Sequence, residues 1–127
     1  MILVDTTVWI DHLRKGTPAL ASALEEGRVL MHPLVMGELA CGNLSNREEV
    51  LRLLGELPMA PAVTDAEARA FIEGHTLMAR GIGYIDVHLL ASTVLAAPAR
   101  LWTRDRRLGV VAAELGLAFT ETARSRK

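Results

Sequence analysis

Short apolar runs alternate along this chain with longer segments whose apolar residues recur at helical spacing, and few folds satisfy that alternation. Ile2-Leu3-Val4 is too short and too β-branched to begin a helix, so it reads as a buried strand. Val29-Leu30-Met31, Arg100-Leu101-Trp102-Thr103 and Leu117-Ala118-Phe119-Thr120 read the same way. Between them the spacing predicts helices over 7–14, 18–26, 34–41, 47–57, 65–80, 84–97 and 106–115. Start signals support several of these. Thr17 precedes a proline at the first helical position, Thr64 and Glu67 have capping-box spacing, and Asn46 and Asp105 are candidate N-caps. Gly27, Gly42 and Gly116 are stops, Pro58 and Pro98 are breaks, and Gly81-Ile82-Gly83 is a turn. Residues 59–63 form a short extended piece between prolines. Strands alternating with helices imply an α/β fold, a central parallel sheet with helices on both faces.

Composition narrows the class. Half of the 127 residues are apolar and 23% are charged, which supplies a core and argues against disorder. The net charge of −1 excludes a protein held on nucleic acid by bulk charge alone. A single cysteine, Cys41, excludes an internal disulfide framework and a cysteine-based zinc site. No basic region precedes Asp5, so the start does not read as a secretory signal. No apolar run approaches the roughly 18 residues a membrane span needs. The expectation is a cytoplasmic, single-domain protein over 1–127, with 121–127 a polar, frayed tail.

In such folds ligands sit beyond the carboxyl ends of the strands. Asp5 and Asp105 fall there, just after the first strand and just after Trp102-Thr103. Glu38 sits within the apolar segment Leu34-Val35-Met36-Gly37-Glu38-Leu39-Ala40, and Asp86 near the start of Tyr84-Ile85-Asp86-Val87-His88-Leu89. Each has an ordinary alternative: Asp5 and Asp105 as N-caps, Asp86 as a first-turn acid, Glu38 as a residue reaching solvent or an arginine. Their joint placement weakens the ordinary reading. If the four converge they cannot all stay ionised alone, because two unit charges 4 Å apart repel by roughly 4 kcal/mol at an effective dielectric near 20. Oxygen donors without Cys or paired His favour Mg²⁺ or Mn²⁺ over zinc. A carboxylate-held Mg²⁺ prefers phosphate oxygens as its further ligands, which points to phosphoryl chemistry. Thr7 and Thr103 place hydroxyls near Asp5 and Asp105. Neutralising the four acids leaves the rest mildly basic. Arg104, Arg106 and Arg107 flank Asp105, Arg124, Arg126 and Lys127 lie in the tail, and 12 of the 14 basic residues are arginine, suited to phosphate. His12, His32, His75 and His88 lack ligand spacing and read as non-catalytic. Asp11 reads as part of a solvated face beside Arg14 and Lys15. Leu20, Leu24 and the stretch around Leu51, Leu53 and Leu54 are candidates for either core or a partner surface.

The order of these motifs resembles the PIN-domain ribonucleases, and in particular the VapC-type toxins of bacterial toxin–antitoxin pairs. The matching segments are Val4-Asp5-Thr6-Thr7-Val8-Trp9-Ile10-Asp11, Met36-Gly37-Glu38-Leu39, Ile85-Asp86-Val87-His88-Leu89-Leu90-Ala91 and Leu101-Trp102-Thr103-Arg104-Asp105. The resemblance implies a PIN-like three-layer α/β/α fold with a mostly parallel sheet. It implies a metal site at Asp5, Glu38, Asp86 and Asp105, with Thr7 and Thr103 in the family's hydroxyl positions. It further implies RNA cleavage with Mg²⁺ or Mn²⁺; Arg104, Arg106 and Arg107, by their charge and place beside Asp105, are candidate RNA contacts, with a solvated face as their ordinary reading. A homodimer and a cognate antitoxin that drapes a segment over the active-site groove follow from the same resemblance. One departure matters: no further acid follows Asp105 until Glu114, which favours one tightly held ion.

Two other readings stay open. An aspartyl-phosphate phosphatase or receiver also begins with an Asp after a first strand. The first wants a second Asp where this chain has Thr7, and the second a late Lys, whereas the only lysines are Lys15 and Lys127. A non-catalytic RNA- or protein-binding PIN-like module is the other, although a relic has no reason to keep four uncompensated carboxylates.

Overall fold

The structure is a computed structural model that describes residues 1–121. Its centre is a parallel sheet of order β2-β1-β3, from β1 (Ile2–Val4), β2 (Val29–Leu30) and β3 (Arg100–Trp102). Single bridges widen it at both edges, Met31 with Met59 beyond β2 and Leu101 with Ala118 beyond β3. The expected fourth strand over 117–120 is thus reduced to two hydrogen bonds, Leu101 N–H to Leu117 O and Phe119 N–H to Leu101 O. Among the described residues seven helices cover the sheet: α1 (Thr6–Lys15), α2 (Pro18–Glu25), α3 (Pro33–Ala40), α4 (Arg47–Leu54), α5 (Asp65–His75), α6 (Tyr84–Leu95) and α7 (Arg106–Glu114). The three-layer α/β/α expectation is borne out.

Ile2, Leu3 and Val4 are all buried, as a strand covered on both faces requires. Trp9, Leu20, Met31, Leu89, Leu90, Trp102 and Leu108 pack around them. Leu20 and Leu54, weighed as a partner surface, are buried, while Leu53 is exposed. α6 is buried continuously from Val87 to Thr93, which makes it the central covering helix.

The helix ends explain where sequence and structure part. α2 and α7 close as the glycines indicate. Gly27 and Gly116 take φ of 67° and 74°, and the next residue reaches back five positions, Arg28 N–H to Ala23 O and Leu117 N–H to Ala112 O. α5 stops at His75 rather than near Arg80. It uses the same closure with Thr76 at φ 53° and Leu77 N–H bonded to Ile72 O, so no glycine announces it. Burial of Leu77 pins that end. α4 stops at Leu54, three residues early, with Gly55 as its cap. Asn46 stands at the start of α4 with φ 52° but its side chain makes no capping bond, and neither does Thr17. The capping box of Thr64 and Glu67 is complete. The expected tail over 121–127 lies outside the described residues except for Glu121, which is held in place, as described below.

Candidate active site

Because the strands are parallel, their carboxyl ends share one edge, and Asp5 N–H extends the β1–β3 ladder to Trp102 O at 2.9 Å. That bond sets Asp5 beside Thr103. Asp5 stands at the N-cap position of α1, but its side chain makes no capping bond. Its nearly buried carboxylate accepts instead, at Oδ2, from Thr7 Oγ1 and from Thr103 Oγ1, each at 2.7 Å. Both hydroxyls are free to donate because each receives a backbone N–H: Arg104 N–H to Thr7 Oγ1 and Asp105 N–H to Thr103 Oγ1, both at 3.0 Å.

The other three acids are held with similar economy. Glu38, on α3, accepts at Oε1 from Thr6 Oγ1 at 2.5 Å. Asp86, in the first turn of α6, accepts at Oδ2 from Gly83 N–H at 3.0 Å. Asp105 caps α7, accepting at Oδ1 from Leu108 N–H at 2.9 Å. Each of the four carboxylates therefore has one oxygen fixed by protein donors and, among the described residues, one that receives none. The ordinary helix-end roles weighed for Asp86 and Asp105 are real, and they occupy one oxygen apiece.

The four acids also feel one another. The Asp86 carboxyl is raised above its ordinary value, first by burial, against which the Gly83 N–H bond works, and then by the charges of Asp5, Asp105 and Glu38. Among the described residues, no group of three or more acidic, His or Cys side chains stands close enough to hold a metal ion. What fits a hard cation is the chemistry of the four acids, whose donors are all oxygen.

The arginines beside Asp105 divide. Arg104 donates from Nη1 to Asp11 Oδ2 at 2.8 Å, and from Nε and Nη2 to the two oxygens of Glu121 at 2.9 and 2.8 Å. These bonds, led by that to Glu121, raise Arg104 far above its ordinary value and hold Asp11 and Glu121 below theirs. Trp102 Nε1 also donates to Glu121, at 2.8 Å. Arg104, expected to meet substrate, thus spends its guanidinium on protein carboxylates, and Asp11, on a solvated face within reach of the charges of Lys15 and Arg14 as expected, also joins this network. Arg106 and Arg107 have no carboxylate within salt-bridge distance among the described residues.

Sequence reasoning missed three residues. Thr6, which holds Glu38, gave no signal beyond its neighbour Thr7. Glu121 was assigned to the tail. His32 is buried and caps α3 through Nδ1, which accepts from Leu34 N–H at 3.0 Å. The Pro33 that follows it, at the first helical position, is the signal that could have found it.

The sequence pattern of the PIN domain matches residues 2–114. The chain belongs to the PIN-domain family. It is also similar to Ribonuclease VapC32 from two strains of Mycobacterium tuberculosis, CDC 1551 / Oshkosh and H37Rv. Each is 46% identical over 121 residues, covering 95% of this chain and 98% of the relative. The resemblance to VapC-type proteins is borne out by near full-length likeness, and the PIN match spans all four site acids.

Proposed function

We propose that this PIN domain is a VapC-type, divalent-metal-dependent endoribonuclease, the toxin of a toxin–antitoxin pair, acting through Asp5, Glu38, Asp86 and Asp105. The observation that carries it is the half-committed state of all four carboxylates: one oxygen fixed by the protein, one offered. Mg²⁺ or Mn²⁺ is the ion this donor set suits, and one bound there supplies Lewis acidity toward the scissile phosphate and toward an attacking water. The chain's own residues do the rest. Thr7 and Thr103 fix the orientation of Asp5, and Thr6 that of Glu38. Attack by water needs no 2′-hydroxyl, so 5′-phosphate ends are the expected products.

The partner readings rest on the likeness to VapC proteins. RNA is the substrate, a cognate antitoxin the inhibitor, a homodimer the assembly and the cytoplasm the location, with residues 1–127 acting as one nuclease domain. Among the described residues no helix is long and apolar enough to cross a membrane. A groove of about 350 Å³, with Ile10, Leu13, Leu39, Leu44 and Val50 beside Glu38, suits the apolar segment of an antitoxin laid over the site.

The test is cleavage of purified total RNA by the isolated chain with Mg²⁺, with Mn²⁺ and with chelator, beside Asp5→Asn and Asp86→Asn. Discrete fragments that require metal and both aspartates, and that carry 5′-phosphates, are expected. Cleavage that survives chelator, or fragments ending in 2′,3′-cyclic phosphate, would overturn the mechanism.

A further inference from the structure

We propose that Arg80, Arg106 and Arg107 form a phosphodiester-binding subsite that seats the RNA backbone beside the Asp86–Asp105 edge of the carboxylate cluster. The proposal rests on the ribonuclease reading above and adds which residues grip the substrate away from the scissile bond.

The three arginines and Val110 line a concavity of about 250 Å³. The only carboxylate paired with any of them, among the described residues, is Glu114, bonded to Arg80 at 2.9 Å. Three guanidinium charges against one carboxylate leave the concavity with an excess of positive charge. Arg107 also runs alongside the turn that precedes α6. Its side chain lies across Gly81, where an added Cβ would stand 2.7 Å from Arg107 Cδ and 2.9 Å from Nη1. Gly81 has φ +80°, so the backbone conformation there favours glycine.

Position ties the concavity to the site. Arg106 follows Asp105 directly, and Gly81 lies two residues before Gly83, whose N–H holds Asp86. A ligand spanning both regions must satisfy cations on one side and four carboxylates on the other. An acidic peptide is repelled by the acids. A phosphodiester chain meets both demands, with one phosphate at a cation held by the acids and a neighbouring one on the arginines. Arg104 takes no part, since Asp11 and Glu121 already occupy it.

The experiment measures binding rather than turnover. A fluorescein-labelled oligouridylate of about 12 nucleotides is titrated by anisotropy against the full chain carrying Asp5→Asn, with and without Mg²⁺, over a range of salt. The same background then carries Arg106→Ala with Arg107→Ala, or Arg28→Ala. Arg28 lies at the opposite, amino edge of the sheet, where its carbonyl pairs with Ile2 N–H, and it controls for bulk charge. Loss of the two arginines is expected to weaken binding about tenfold. The slope of log K against log salt should become shallower by about 1.4, as for two phosphate contacts on a single strand. Arg28→Ala should give less than a twofold loss.

Unchanged affinity and slope in the double variant, or an equal loss in Arg28→Ala, would overturn the subsite. So would a polyglutamate peptide that binds as tightly through the same arginines. Metal-dependent RNA cleavage by the unmodified chain, alongside an unaffected double variant, would sink the subsite and leave the nuclease reading standing. Arginine-dependent binding without any cleavage would do the reverse.

Discussion

On one side of Asp105 the guanidinium of Arg104 is fully committed to protein carboxylates; on the other, among the described residues, Arg106 and Arg107 pair with none. The inward flank joins Asp5, Thr7, Thr103, Arg104, Asp11, Glu121 and Trp102 in one network, in which hydroxyls relay backbone N–H groups to a carboxylate and one guanidinium bridges two acids. The outward flank presents Arg106 and Arg107 without a neighbouring acid among the described residues. The two flanks lie within three residues of one another and share a residue type. The closed flank therefore sets geometry, while the open one keeps its charge for a ligand. A satisfied guanidinium has little left to offer a phosphate, because it would first have to give up charge-assisted bonds.

The largest effect belongs to the closed flank. Asp5→Asn keeps an oxygen that Thr7 and Thr103 can still donate to but removes the charge. RNA cleavage is expected to fall about 1,000-fold, within the range seen for positioned acid–base groups, with little change in the thermal midpoint. A variant that unfolds instead would make Asp5 a structural residue and remove the distinction between geometry and chemistry on that flank.

The wall behind the cluster is closed in the same way, and pH tests it. His32 Nδ1 accepts from Leu34 N–H and its Nε2 meets Ser92 Oγ at 3.1 Å, so the ring ties the start of α3 to the middle of α6. Those two helices carry Glu38 and Asp86. Burial first, and the charge of His88 second, push His32 down to about 4. Between its unfolded value near 6.5 and the folded one, the unfolded chain binds more protons, so acid destabilises the fold. The contribution is fully present above pH 6.5 and lost as pH falls toward 4, an integrated loss of about 3 kcal/mol. Urea unfolding at pH 7 and pH 4 measures it. His32→Asn, which retains a capping oxygen, should flatten the difference between the two pH values. Parallel behaviour of wild type and variant would show that this wall is not closed through His32.

Arg104→Ala comes next. The pairs with Asp11 and Glu121 are partly exposed, the arginine side chain at 29%, so solvent discounts them and the cost is about 1 kcal/mol. Glu121→Gln should cost a similar amount, and the double variant less than the sum, because both changes cut one network. Full additivity in chemical denaturation would mean that the network is only a set of independent surface contacts.

This contrast between flanks marks the boundary of what the sequence discloses. The strands preceding Asp5 and Asp105 were legible because a short apolar run and a carboxylate lie close together in the chain. So were the glycine closures at Gly27 and Gly116 and the box of Thr64 and Glu67, each a local stereochemical rule. Thr76 hid the end of α5 because a threonine took a conformation that local rules reserve for glycine. The fate of Arg104 was illegible for a different reason. Its partner Asp11 is 93 residues away, and a pairing across that separation is decided by the packing of α1 against the end of β3, on which no local pattern bears. Thr6 and Glu38, 32 residues apart, met in the same way. The identity of the four acids could be read in advance, but which oxygen of each is fixed could not.

The smallest expected effect is the sharpest test of the open flank. If Arg106 and Arg107 hold their charge for a ligand, truncating them should leave the free protein almost untouched. Arg106→Ala with Arg107→Ala should change unfolding free energy by no more than about 0.5 kcal/mol, the usual range for surface substitutions that break no cap, core contact or ion pair. Arg107 makes this demanding, because its aliphatic stem rests on Gly81 and such packing stabilises independently of charge. Comparing Arg107→Ala with Arg107→Met separates the two contributions: methionine keeps much of the stem over the glycine and loses the guanidinium. Equal stability of the two variants and wild type means that the contact orders the side chain without holding the fold. A loss in Arg107→Ala that Arg107→Met restores means that the open flank is braced through the stem while its charge remains free. A loss shared by both variants and as large as that of Arg104→Ala would make the guanidinium itself structural, and the two flanks would no longer differ in kind.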